Sequence, residues 1–312
     1  MIISASRRTD IPTYYAEWFF NRIKAGYLLV RNPMNPHQVS KIRMTPDVVD
    51  GIVFWTKNPA PMLSKLDLLR EYAYYFQFTL NAYGTDVETA LPTKAAFLLP
   101  TFGRLADKIG PDRVIWRYDP IFLSKKYSFD YHVRYFEKLA KRLSPYTKKC
   151  IISFLDYYRN TERQMADLSV EPFPPQTQES LAKILAEIAG SYGLKVETCA
   201  EAIDLAKYGI GHAHCIDGQL LGALLHSPLE VGKDKGQRPT CGCVESIDIG
   251  AYNTCQNGCR YCYANYRTRA IGSNRVRHDP RSPLLVGEIG PEDRITERRM
   301  VSYLMRQTRF EL

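Results

Sequence analysis

Short apolar segments alternate with amphipathic segments along the first two thirds of the chain. Six segments rich in Ile, Val and aromatic residues have the length and composition of buried parallel strands; they are residues 2–6, 51–55, 74–80, 113–118, 150–155 and 195–198. The stretches between them predict helices, at residues 13–26, 95–110, 130–143 and 177–193. Strands alternating with helices form βαβ units, so the sequence predicts an α/β fold, a parallel (β/α) barrel that is complete or partial and resembles a TIM barrel.

Composition and charge narrow the class of protein. Of the 312 residues, 45% are hydrophobic and 24% are charged, which is typical of a globular protein with a full core. No apolar run approaches the roughly 20 residues that span a bilayer, and the first residues lack the pattern of a secretory signal. The sequence therefore predicts a cytoplasmic protein without a membrane partner. The net charge of +9 favours anionic partners, although an Arg-rich solvated surface explains it equally well.

Three cysteines lie close together in "NTCQNGCRYCYANYR", residues 253–267. Cys255, Cys259 and Cys262 are spaced C-x3-C-x2-C. In a reducing compartment, clustered cysteines bind metals or do chemistry more often than they form disulfides. Zinc usually needs four ligands, and a 4Fe–4S cluster that only transfers electrons also takes four thiolates. Three thiolates would leave one iron open to a small ligand, and Asn257 and Gly258 allow the tight loop that this requires.

The triad resembles the signature of the radical S-adenosylmethionine (SAM) superfamily, in which an aromatic residue, here Tyr261, precedes the third cysteine. The resemblance implies that the three cysteines hold a 4Fe–4S cluster whose open iron binds SAM, and that Tyr261 lies next to the adenine. It also implies cleavage of SAM to a 5′-deoxyadenosyl radical, with an external electron donor such as flavodoxin or ferredoxin. "CRYCYAN" is similar to spore photoproduct lyase. "SASRRTDIP", "VFWTKNP" and "CGCVESIDIGAYNTC" resemble segments of an uncharacterised bacterial family, often labelled lyase-like.

The position of the triad departs from the superfamily pattern, in which the cysteines come first and the barrel follows. Only fifty residues follow Cys262, too few for five more βα units of about 30 residues each. We therefore expect a circular permutation, in which residues 245–250 form the usual first strand and lie beside residues 2–6. The expected division is a barrel body at 1–225 and a cysteine-rich segment at 226–312 that completes the barrel. That segment is expected to contain a loop at 226–240, a helix at 292–307 and a basic tail.

Polar residues follow most of the predicted strands. Because the carboxyl ends of parallel strands meet at one edge, these residues predict one shared site. The radical SAM resemblance implies SAM contacts next to the cluster strand, which makes Ser4, Ser6 and Arg7, at the end of the first strand, candidate contacts for SAM. The candidate catalytic and substrate residues are Arg8, Asp10, Lys57, Arg117 and Asp119. Asp10 also suits a helix cap, and Arg117 with Asp119 also suits a buried structural ion pair.

Four further cysteines lie outside the triad. Cys199, Cys215, Cys241 and Cys243 are predicted to hold a second 4Fe–4S cluster, because four thiolates complete a closed site. Structural zinc at the same residues and ordinary buried thiols are the alternatives. His212 and His214 are weaker metal candidates, and Cys150 suits the core.

Two functions remain open from the sequence. The first is a radical SAM enzyme, of undetermined reaction type, that acts on an anionic small molecule or nucleic acid. The second is a non-catalytic iron–sulfur or zinc protein that transfers electrons or binds a partner. Arginines can bind phosphates and tyrosines can stack on bases, but tyrosines at strand positions mostly pack in cores.

Overall fold

Eight strands form one parallel sheet in the computed structural model, which describes residues 1–305. All six predicted strand segments belong to this sheet. Its strands are β1 (Ile2–Ala5), β4 (Gly51–Thr56), β5 (Tyr74–Thr79), β6 (Val114–Ile121), β8 (Lys149–Phe154), β10 (Lys195–Thr198), β11 (Gly211–His212) and β12 (Ile247–Asp248). Their order across the sheet is β11-β10-β8-β6-β5-β4-β1-β12. The predicted α/β class with a parallel sheet is confirmed.

The late strand β12 lies beside the first strand β1, as the sequence predicts. The two strands pair in parallel, with Ile3 opposite Ile247 and Ser4 opposite Asp248. Strands β11 and β12 are the two edges, and no pairing joins them within residues 1–305, so the sheet described there is open. The residues that follow β12 therefore emerge at the same sheet edge as those that follow β1.

Helices connect the strands and cover one face of the sheet. Each of the four predicted helices overlaps an observed one, respectively α2 (Ala16–Ala25), α3 (Leu99–Ile109), α4 (Phe129–Leu143) and α6 (Pro175–Ser191). The other helices are α1 (Ile11–Tyr14), α5 (Arg159–Met165), α7 (Gly218–Leu225) and α8 (Thr268–Val276), with short 3-10 or π segments at Ala60–Leu69, Lys94–Leu98, Pro111–Arg113, Ala166–Leu168 and Ala206–Tyr208. No helix within residues 1–305 is long and apolar enough to cross a bilayer.

The two faces of the sheet are buried against different partners. On the helix-covered face, aromatic rings stack between neighbouring strands and helices, as in the pairs Phe54–Phe76 and Trp116–Phe136. On the other face, a second apolar cluster joins strand residues such as Ile2, Val53, Tyr75, Ile115 and Ile151 to Cys215, Ile216, Leu221, Cys241 and Cys243. The segment from 213 to 244 therefore fills this face, and the sheet is buried on both sides, as its near-continuous apolar strands require.

Two smaller sheets lie outside the main one. They comprise β2 (Tyr27–Arg31), β3 (Gln38–Arg43) and β13 (Arg294–Glu297), and the pair β7 (Leu123–Ser124) and β9 (Val170–Glu171). The helix predicted at 292–307 is wrong within the described residues, because 294–297 form β13 and pair with β3; positions 306 and 307 lie outside them. The predicted loop at 226–240 contains no helix or strand, only single-residue bridges.

Asp248 fastens β12 to the loop that follows β1. Its Oδ2 accepts hydrogen bonds from Ser4 Oγ (2.8 Å) and the Arg7 backbone N–H (2.7 Å). Its Oδ1 accepts from Ser6 Oγ (2.7 Å) and the Gly250 N–H (3.0 Å). Both oxygens are acceptors only, so a carboxylate satisfies all four donors at once.

We expect Asp248→Asn to lower the free energy of unfolding by about 2 kcal/mol, because an amide nitrogen at either oxygen position would face a backbone N–H donor. Urea denaturation measures the change. Asp47→Asn is the matched control: Asp47 is 60% exposed and bonds only to side chains near the surface, so a change within about 0.5 kcal/mol is expected there. Equal effects at the two positions would contradict this account of Asp248.

Candidate functional site

A cavity of about 450 Å³ opens at the carboxyl edge of the parallel sheet. Residues that follow five different strands line it together with the cysteine-rich segment. The predicted site residues among them are Ser6, Arg7, Arg8, Asp10, Lys57, Arg117, Asp119, Tyr261, Cys199, Cys215, Cys241, Cys243, Cys255, Cys259 and Cys262. The structure thus brings both cysteine sets and the polar strand ends to one cavity, because parallel strands present their carboxyl ends at a common edge.

The triad loop is held by the segment that follows β5. The Ala90 N–H donates to the Asn257 carbonyl (3.2 Å), and the Arg260 N–H donates to the Val87 carbonyl (3.0 Å). Within the loop, the Cys262 N–H donates to the Cys259 carbonyl (3.1 Å). Backbone hydrogen bonds therefore position the loop that carries the three thiols.

Burial raises the pKa of all three triad thiols, to about 12 for Cys259. The Lys57 ammonium opposes this shift at Cys259 and Cys262 by favouring the negatively charged thiolate. Without a bound cation, neutral thiols are therefore favoured at neutral pH. Because metals bind thiolates, a metal at this loop would have to displace their protons.

A buried charge network surrounds Lys57. Its Nζ lies 2.7 Å from Glu88 Oε1, and Lys94 Nζ lies 2.5 Å from Glu88 Oε2. Tyr261 Oη also donates to Glu88, and Asn81 Nδ2 donates to Tyr261 Oη (3.1 Å). Sequence reasoning missed Glu88, since it is one acidic residue in a turn and no motif marks it. Lys57, a candidate for substrate binding, is thus already paired in this structure.

Asp10 is an internal hydrogen-bond centre. Its carboxylate accepts from the Thr13 N–H (3.0 Å), Thr56 Oγ1 (2.8 Å), the Lys57 N–H (2.8 Å) and Asn257 Nδ2 (2.9 Å). The helix cap that the sequence also allowed is therefore observed, at the start of α1. Through Asn257 the same carboxylate connects the triad loop to the residues at the carboxyl end of β4.

Ser4, also a predicted SAM contact, is not among the residues that line the cavity. It lies within β1 opposite Asp248, and its hydroxyl is used in the hydrogen bond to that carboxylate. Ser6 and Arg7 follow the strand and do line the cavity. Arg7 pairs with Asp234 (3.3 Å), and its guanidinium lies 5.9 Å from the centre of the Trp55 ring.

The second cysteine set lies where segment 213–244 meets the sheet. Cys199 Sγ and Cys215 Sγ are 3.1 Å apart. Arg117 Nη1 donates to Cys215 Sγ (2.9 Å), and the Ile216 N–H donates to Cys243 Sγ (3.4 Å). A hydrogen bond with Cys243 lowers the pKa of Cys241 to about 7. These N–H···S contacts are of the kind that stabilise thiolates bound to a metal.

Arg117 and the two candidate histidines lie in different environments. Arg117 is buried and forms an ion pair with Asp119, so the structural bridge that the sequence also allowed is observed. His214 Nδ1 lies 2.5 Å from the Gly242 carbonyl, and His212 is exposed. Within residues 1–305, no group of three or more His, Cys, Asp or Glu side chains has an arrangement that could hold a metal ion.

The fold and cavity define an α/β protein with a cysteine-rich site at the carboxyl edge of its parallel sheet. Over residues 2–264 the chain matches the family model described as Domain of unknown function (DUF1848), and it belongs to that family. The matched region contains all eight strands of the main sheet and all eight cysteines. No curated protein in the comparison matches the chain.

Substitution of Gly258 tests the observed conformation of the triad loop and its close packing against Thr89. Its φ is +66°, and an added Cβ would lie 2.0 Å from Thr89 Oγ1. We expect Gly258→Ala to destabilise the fold by about 3 kcal/mol, since both strain and a steric clash arise. Gly209→Ala is the matched control, because Gly209 has a φ of +74° but nothing within 4 Å of the added Cβ.

For Gly209→Ala we expect only the strain, about 1 kcal/mol, in the same urea titration. Adding Thr89→Ala to Gly258→Ala should restore part of the loss, because it removes the clashing oxygen. If the double variant were no more stable than Gly258→Ala, the clash would not be the cause.

Proposed function

We propose that this protein is a radical SAM enzyme that binds a 4Fe–4S cluster at Cys255, Cys259 and Cys262. The observation that carries the proposal is the position of these three thiols. They lie in the C-x3-C-x2-C spacing on a loop at the carboxyl edge of a parallel sheet, and they line a cavity large enough for a small-molecule ligand. A cluster held by three thiolates keeps one iron open to such a ligand.

The donor set fits a cubane cluster. Each thiolate ligand of a cubane binds a different iron, so the three sulfurs need not converge on one point as ligands of a single ion do. All three thiols are fully or partly buried, and the loop that carries them is held by hydrogen bonds from outside it. The cluster, when bound, supplies the electron that cleaves SAM to methionine and a 5′-deoxyadenosyl radical.

The chain's own residues would bind and orient the other reactants. Tyr261 is held by hydrogen bonds with Glu88 and Asn81 and lines the cavity, where it would contact the adenine. Ser6 and Arg7 remain candidates for the polar part of SAM, because they line the cavity directly after β1. We propose that the parallel sheet curves into a partial (β/α) barrel, which would place these residues around one site. Segment 213–244 would fill the interior of this barrel.

We propose an anionic substrate that enters past the arginines at the mouth of the cavity. Arg238 is 47% exposed and pairs with the half-exposed Asp156, and Arg8 lies 3.9 Å from Asp248. Such exposed or loose pairs are weak, so either guanidinium is available to a phosphate or carboxylate. The sequence alternatives of a small molecule and nucleic acid both satisfy this chemistry. Eight free cysteines suit a reducing, cytoplasmic compartment.

We also propose a second 4Fe–4S cluster at Cys199, Cys215, Cys241 and Cys243, which would relay electrons or anchor the substrate. Its support is that the four cysteines line one cavity and that N–H groups already donate to two of their sulfurs. Zinc at the same four cysteines is the alternative.

SAM cleavage tests the proposed activity. The reconstituted, reduced protein should convert SAM to 5′-deoxyadenosine and methionine, which chromatography measures. Cys259→Ala should reduce this to background because it removes a cluster ligand, whereas Cys150→Ala should retain it, since Cys150 lies in the core of β8. A folded wild-type protein that binds iron but neither cleaves SAM nor changes its spectrum with SAM would favour the non-catalytic alternative.

Metal analysis tests the second site. Two cubanes require about eight iron atoms per chain, and one cubane with zinc requires about four iron atoms and one zinc. We expect Cys215→Ala to lower the iron content to about four while the triad cluster remains. About four iron atoms and no zinc in the wild-type protein would leave the second set as ordinary buried thiols.

A further inference from the structure

Two lysines and one glutamate form an ion-pair network beside the triad. Glu88 is buried, and its two carboxylate oxygens contact Lys57 Nζ and Lys94 Nζ. The 2.7 Å contact makes Lys57 and Glu88 an ion pair, so each places a charge of its own sign next to the triad loop.

This network lies directly against the triad loop. Glu88 and Cys259 face each other as backbone bridge partners. The Lys57 ammonium lies 5.4 Å from the centre of the Tyr261 ring, which belongs to the triad loop. In a buried environment such a charge acts strongly, since little water screens it.

We infer that Lys57, positioned by Glu88, sets the reduction potential of the group bound at the triad rather than binding the substrate. This inference rests on the proposed 4Fe–4S cluster. Reduction adds one electron to the cluster, so the reduced state is more negative by one charge. A nearby cation stabilises that state and raises the potential, whereas a nearby anion lowers it.

Two substitutions in this network are expected to change the midpoint potential in opposite directions. Lys57→Met removes a positive charge at similar length, and Glu88→Gln removes a negative charge at nearly the same shape. The first should lower the midpoint potential and the second should raise it. A residue with a purely structural role would give no such pair of opposite shifts.

The experiment is a redox titration of the full-length, reconstituted protein with dithionite, in which electron paramagnetic resonance follows the one-electron-reduced cluster. We expect each substitution to change the oxidised-to-reduced ratio at least tenfold at fixed potential, which is about 59 mV for a one-electron couple. Lys57→Arg keeps the charge and should restore a potential near that of wild type. The double variant Lys57→Met/Glu88→Gln should lie between the two single variants.

Lys149→Met is the matched control. Lys149 is also a partly buried lysine paired with a glutamate, Glu197 at 3.1 Å, but it lies at the start of β8 and not among the residues that line the cavity. Its potential should equal that of wild type. Iron content and urea denaturation of each variant show whether the fold and the cluster are intact.

Each result has a distinct meaning. Potentials that do not move, or that move in the same direction in Lys57→Met and Glu88→Gln, overturn the inference while the proposed function stands. A wild-type protein that binds no reducible cluster overturns both. If Lys57→Met does not retain the cluster, Glu88→Gln alone tests the inference. Its midpoint potential should rise, because the variant loses a negative charge; an unchanged or lower potential overturns the inference.

Discussion

The parallel pairing of β12 with β1 is the interaction on which the site depends. These strands are more than 240 residues apart in sequence, yet Ile3 lies opposite Ile247. The short β12 gains few backbone hydrogen bonds from this pairing, and the four bonds accepted by Asp248 add to them. Because β12 is fixed there, the triad loop must emerge beside the loop that follows β1, at the edge where the other strands end.

Ion pairs determine which charged side chains the cavity can contain. Its buried and partly buried cations are paired, Arg7 with Asp234, Arg117 with Asp119 and Lys57 with Glu88. Burying a charge without a partner is costly, so these pairs are what allow charged groups at the sheet edge. The consequence is that cations counted from the sequence overstate the positive charge available to a substrate. Arg8 and Arg238, whose pairs are looser or more exposed, remain the accessible ones.

The features predicted from the sequence are those that depend on residues close together in the chain. The strands and helices follow from apolar periodicity, and the triad is visible as a spacing. Glu88 could not be predicted, because its partners Lys57 and Tyr261 are 31 and 173 residues away. Ser4 is a predicted SAM contact because it lies at the end of the first strand, and the β1–β12 register places its hydroxyl against Asp248. The helix expected at 292–307 gave way to β13 because β3 offers an unpaired edge, and tertiary pairing outweighs local propensity.

A sheet edge depends on which strands are neighbours in space and not on their order along the chain. The neighbours of β1 in the sheet are β4 and β12. In the sequence, β4 comes soon after β1, whereas β12 comes more than 240 residues later. A site built from loops at that edge therefore needs the same spatial order whether its cysteines come first or last in the sequence. What changes is which segment can hold the triad loop, and here residues 87–90 do so through backbone hydrogen bonds. Those bonds also bring Glu88, and with it Lys57, against the cysteines, so the support of the loop and its electrostatic environment arise from one contact.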